Sequence, residues 1–184
     1  MPERIATTSD CAKCAALCCV AYPSDDMPGF AASKRSGEPC PRLAPCGTCT
    51  IYEDRERLGF GGCIAYDCFG AGQFVTQALS HSGAQPGRTV ATQAMIDRFL
   101  LVRPAFDLLR LAQRLADDNL PPEHESRRVS IVRSLEDALL TGDPAIVEHV
   151  LLPAKAALRD LYAARSLQNR KGNLNSRRAH ALVG

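Results

Sequence analysis

The chain has 184 residues, 46% hydrophobic and 23% charged, with a formal net charge of +2. That length suits one ordinary domain or two small ones; the composition is globular rather than disordered, and the charge is too small to make the whole chain a nucleic-acid binder. Aromatics are only 5% and tryptophan is absent, so any core must be built from Leu, Ala, Val and Ile.

The charge is unevenly placed. Residues 1–80 carry seven Lys/Arg against nine Asp/Glu, whereas the remainder carries fifteen against eleven. The last acid is Asp160, and Arg165, Arg170, Lys171, Arg177 and Arg178 follow it. Such a block is ordinarily a solvated tail. The opening Met1–Asp10 has no apolar run of the kind a signal peptide needs, and no stretch approaches the length that spans a bilayer. A cytoplasmic location with no membrane partner is the expectation.

In chain order, the first element is Cys11-x2-Cys14-x3-Cys18-Cys19, preceded by Ser9-Asp10. Ala12, Ala15, Ala16 and Leu17 favour a helix over 11–19 capped by Asp10, which places Cys11, Cys14 and Cys18 on one face. The helix N-terminus would then lower the Cys11 thiol pKa. Cys19 would point about 100° away from Cys18, free for a second metal or for none. Pro23, Pro28, Pro39, Pro41 and Pro45 break any long element after this.

The second cysteine group is Cys40, Cys46-x2-Cys49, Cys63 and Cys68. Cys46-Gly47-Thr48-Cys49 has the form of a zinc knuckle, in which glycine lets backbone N–H groups approach sulfur. Gly59-Phe60-Gly61-Gly62-Cys63 supplies another flexible approach, and Cys68-Phe69-Gly70-Ala71-Gly72 leads into a helix at Gln73. His81–Val90 reads as a linker.

From Thr92 the pattern turns helical. Met95, Phe99, Val102, Phe106 and Leu109 make one stripe, and Pro104 should kink that helix or start a new one. Val129, Val132, Leu135 and Leu139 mark a second, ended by Thr141-Gly142. Asp143-Pro144 caps a third, with Ile146, Val150, Ala154, Leu158 and Leu161 on its stripe and Pro153 as a kink. The expected fold is mainly α: an irregular cysteine-rich, metal-binding module with short helices (1–80), packed on a small antiparallel helical bundle (91–168), then a basic tail (169–184).

All nine cysteines lie within the first 68 residues, while His81, His124, His149 and His180 come later. A ligand set built here is therefore all sulfur, which suits zinc or an iron–sulfur cluster. Nine small buried hydrophobes in so short a stretch is improbable on composition, and an odd count in a reducing compartment fits poorly with complete disulfide pairing. Lys13, Arg42, Arg55 or Arg57 would offset the thiolate charge.

The strings CAKCAALCCVAYP and EPCPRLAPCGTCTIYEDRERLGFGGCIAYDCFGAGQ resemble the YkgJ-type cysteine-cluster family, associated with zinc or iron chelation. The likeness is greatest to the variant that precedes pentapeptide repeats in bacterial proteins. It covers residues 10–80 specifically and the helical part to about 168 only in general pattern. The resemblance implies Cys11, Cys14, Cys18, Cys19, Cys40, Cys49, Cys63 and Cys68 as metal ligands, with Cys46 an addition ranked below them. The family usually has two residues before the double cysteine, whereas this chain has three, and no pentapeptide repeat follows Leu167.

A distant branch of that group, flagellin lysine methylases, implies an alternative: an iron–sulfur redox or group-transfer enzyme. No GxGxxG, P-loop, HExxH or paired catalytic carboxylates accompany the cysteines, so no catalytic residue is assigned. A second alternative is a zinc-stapled module for a protein or nucleic-acid partner. Nucleic acid ranks last, because no aromatic residues interleave the basic tail. The favoured expectation is a metal-binding protein holding zinc or an iron–sulfur cluster.

Overall fold

A computed structural model describes residues 5–24, 28–30, 33–80, 91–118 and 120–181, with side chains described as far as 167 except that of residue 117. The expected linker at 81–90 and the side chains of the basic tail lie outside the described residues. Those described are mainly helical and contain no strand, only an isolated antiparallel bridge between Leu43 and Cys49. The helices are α1 (Leu17–Ala21), α2 (Gly61–Ala65), α3 (Ala71–Leu79), α4 (Gln93–Arg114), α5 (Pro122–Thr141) and α6 (Pro144–Ala181), with 3-10 turns at Cys11–Lys13 and Leu115–Asp118. Two compact units form, one of residues 4–107 and one from Leu108 onward, and α4 crosses the division.

The first unit holds every cysteine. Its core is Ile5, Leu17, Val20, Ala21 and Val75 together with Met95, Ile96, Phe99, Val102 and Phe106 of α4. The two phenylalanines are fully buried, each worth about 1.5–3 kcal/mol in removed apolar surface. Phe106 packs on Phe74 at 5.4 Å between ring centroids, and Phe99 meets Tyr22 at 5.6 Å. Apolar packing of this kind, rather than local propensity, is what a five-residue helix such as α1 depends on.

The expected continuous helix over 11–19 does not form. A 3-10 turn at Cys11–Lys13 gives way to extended Cys14 (φ −116°, ψ 141°), and α1 starts only after Ala16 in the left-handed region at φ 55°. The Ala15 amide instead donates to Thr76 Oγ1 at 3.0 Å, a tertiary bond that a nine-residue helix is too weak to outcompete. Pro104 neither ends α4 nor starts a new helix; α4 runs through it. Buried Arg103 and Ala105 on either side hold it against a cost of about 3 kcal/mol. Helix α3 begins at Ala71, two residues before the expected Gln73, because Gly70 takes the left-handed N-cap position at φ 90°.

In the second unit, α5 opens with Pro122 in its first turn and Glu123 and Glu125 beside its positive end. Gly142 closes it in the left-handed conformation, and Asp143 Oδ1 accepts from the Ala145 amide at 2.9 Å to start α6. The expected stop and cap are both present. Helices α5 and α6 pack as a hairpin, burying Leu135, Leu139, Val147, Leu158 and Leu161. Arg127 and Asp160, similarly distant from the turn, pair at 3.1 Å, which requires an antiparallel arrangement. The end of α4 is tied on by Arg128 to the Ala112 carbonyl at 3.4 Å and by the Tyr162 hydroxyl to the Leu111 carbonyl at 3.0 Å.

Candidate functional site

The cysteines of the first group are placed by a seam between residues 8–10 and 67–73. Asp10 caps the Cys11–Lys13 turn through the Ala12 amide at 3.1 Å, as its position predicts. Gln73 Nε2 donates to the Thr8 carbonyl at 3.0 Å, and the Gly70 amide donates to Ser9 Oγ at 3.1 Å. Ser9 Oγ also lies 3.2 Å from Cys68 Sγ. This seam brings Cys11 and Cys14 to Cys68 across more than fifty residues of chain. Gly72 completes it: a Cβ there would stand 2.6 Å from Cys14 Sγ and 3.7 Å from Cys68 Sγ, so only glycine leaves that space to sulfur.

Helix α1 carries Cys18 and Cys19, whose sulfurs are 3.9 Å apart. Its C-terminal end is closed from the 34–40 loop. The buried Lys34 ammonium donates to the carbonyls of Val20 and Tyr22, the Gly37 amide to Val20 O, and the Cys40 amide to Cys19 O at 2.9 Å. Beyond Cys40, the Leu43 amide donates back to the Cys40 carbonyl, and the isolated Leu43–Cys49 bridge closes a small loop. Arg55 stacks over Tyr52 at 3.7 Å and donates to the Cys63 carbonyl at 3.4 Å.

Burial pushes the thiol pKa values of Cys11, Cys14, Cys40 and Cys63 up. For Cys11 this reverses the expected lowering, because only a three-residue 3-10 turn starts there and neighbouring Cys68 and Cys19 add to the effect. Cys18 rises well above the ordinary value because of its hydrogen bond with Cys19 and its burial. Cys19 falls to about 7, helped first by that hydrogen bond and then by Lys34 and Arg55.

The charges that act on each thiol sort the cysteines. Cys68 and Cys19 act on Cys11, Cys68 and Cys11 on Cys14, and Cys14 and Cys68 on Cys18 as well as its neighbour Cys19. Cys40 and Cys63 each face Cys19 and Cys49. Cys46 is exposed and turned to Thr48 Oγ1 at 3.0 Å, with no other cysteine among the groups that shift it; the Thr48 hydroxyl lowers its pKa.

All nine thiols are free. Among the described residues, no three His, Cys, Asp or Glu side chains stand in a geometry that could hold a metal ion. The donor set is nevertheless suited to zinc or to an iron–sulfur cluster, being thiolate throughout, and the bare Cα of Gly72 leaves room beside two of the sulfurs. Of the expected counter-charges, Arg55 acts on Cys11, Cys19 and Cys63. Lys13 is instead engaged with Asp10, and Arg57 with Asp54. Lys34, Ser9 and Gly72 carry no signal of their own in the sequence; their roles follow from contacts across 12 to 61 residues.

No family model matches the chain, and no solved structure matches it. It is 33% identical over 141 residues to "Uncharacterized protein YybG" of Bacillus subtilis (strain 168), a match covering 73% of this chain and 50% of that protein. The chain thus spans about half the length of that curated relative. No helix among the described residues is long and apolar enough to cross a membrane.

Proposed function

We propose that this is a metal-binding protein whose N-terminal thiolates hold zinc or an iron–sulfur cluster, and that loading the metal is linked to folding of residues 4–107. The observation that carries the reading is the space Gly72 leaves beside the sulfurs of Cys14 and Cys68, with Cys18 and Cys19 3.9 Å apart on α1. Four features support it: the all-sulfur donor set, the glycine facing two of the sulfurs, the cations Lys34 and Arg55 set against the thiols, and the resemblance of the cysteine pattern to the YkgJ-type family. Metal binding displaces thiol protons, so affinity should rise with pH.

Protein purified without oxygen is to be assayed for zinc, iron and acid-labile sulfide per chain. Exhaustive chelation should then expose residues 4–107 to protease while α5 and α6 keep most of the helical circular dichroism. Absence of metal in the purified protein, or unchanged proteolysis after chelation, would refute the reading.

A further inference from the structure

Resting on that reading, the further question is which thiols share a metal. We infer that the eight cysteines divide into two four-thiolate sites, Cys11/Cys14/Cys18/Cys68 and Cys19/Cys40/Cys49/Cys63, with the adjacent pair Cys18–Cys19 sending one sulfur to each and Cys46 outside both.

Geometry carries the division. On one side, the Ser9–Gly70 and Thr8–Gln73 bonds fasten the first cysteine turn to the start of α3, and Gly72 stands against Cys14 and Cys68 together. On the other side, the Cys40 amide is bonded to the Cys19 carbonyl, Leu43 links Cys40 to Cys49, and Arg55 reaches the Cys63 backbone. Apart from the Cys18–Cys19 junction itself, the thiol pairs that influence one another fall within these two sets in every case but one, Cys11 with Cys19.

Adjacent residues on a helix diverge by about 100°, so two consecutive thiolates are poorly placed on one tetrahedron. Sending them to separate ions uses each of the eight thiols once and leaves no set short.

The experiment loads stripped protein with 113Cd2+ and records proton–cadmium correlations, which assign cysteine β-protons to each ion without any replacement. Two tetrathiolate resonances are expected, one correlated with Cys11, Cys14, Cys18 and Cys68 and the other with Cys19, Cys40, Cys49 and Cys63. As a second readout, Cys14→Ser and Cys40→Ser should each halve the metal per chain, whereas Cys46→Ser leaves it unchanged. If the chain takes iron and not cadmium, iron and sulfide per chain should show the same halving. A single site, or Cys18 and Cys19 on one ion, overturns the division and leaves the metal-binding reading standing. A chain that takes up neither cadmium, zinc nor iron overturns both.

Discussion

Replacing Arg103 by Met should loosen the segment that presents Cys68, although Arg103 is no ligand. Its buried guanidinium donates to the Asp67 carbonyl at 2.7 Å and to the Tyr66 hydroxyl at 3.1 Å, and it pairs with Asp107. It also lies over the rings of Tyr66 and Phe69, at 5.3 and 5.4 Å. Phe69 needs that support, since it holds a left-handed φ of 48°, a conformation that costs an ordinary residue about 1–2 kcal/mol. The charge-assisted bond to Asp67 contributes about 1.5–3 kcal/mol and the bond to Tyr66 about 1. Ring stacking adds roughly 0.5–1 kcal/mol. The half-exposed Asp107 pair adds little. Removing the cation also relieves its own desolvation, so the net loss should be roughly 2–3 kcal/mol.

Amide hydrogen exchange reads that loss locally. The Phe69 and Gly70 amides, bonded to Asp67 Oδ1 and Ser9 Oγ, should exchange roughly a hundredfold faster in Arg103→Met. Arg103→Lys, which keeps the charge and loses the planar fork, should fall between. Amides in α5 should not change. Unaltered exchange at Phe69 and Gly70 would show that Arg103 does not hold this segment, and the reasoning would fail.

Three further outcomes follow from the same contacts. Gly72→Ala gains about 1 kcal/mol of helix propensity but forces a Cβ to 2.6 Å from Cys14 Sγ, so net destabilisation of about 1–2 kcal/mol and loss of bound metal are expected; a rise in melting temperature would contradict the close approach. Leu135→Ala, at a fully buried position of α5, should cost 2–5 kcal/mol of the α5–α6 hairpin in denaturant titrations followed by circular dichroism, and a change below about 1 kcal/mol would count against that core. The Arg128 guanidinium holds the Glu125 carboxyl below its ordinary 4.5, so the pair stabilises the fold above that pH and the benefit disappears as pH falls through the lowered folded value. Glu125 is partly exposed, so wild type should exceed Glu125→Gln by only about 0.5–1 kcal/mol at pH 7 and by nothing near pH 2; an equal gap at both pH values would refute the assignment.

Local chemistry was enough to read the second unit. Gly142 and Asp143 end one helix and start the next through bonds to near neighbours, and the stripes of α5 and α6 mark the buried face except at Val129 and Ile146, which stand exposed at the starts of the two helices' stripes. The cysteine unit was legible only in its donor atoms. Asp10 was recognisable as a cap because its partner is two residues away, but the helix it seemed to start is cut short by Thr76, sixty-one residues from Ala15. Residue letters alone determined where the nine thiols fall in the chain and that long helices would follow them. The tertiary structure decided that Gly72 stands beside Cys14 and Cys68, that Lys34 closes the end of α1, and that the first half of α4 belongs to the cysteine-bearing unit. The physical reason is range: caps, stripes and stops act within a helical turn or two, whereas the positions of the thiols depend on hydrogen bonds and packing between segments far apart in the chain.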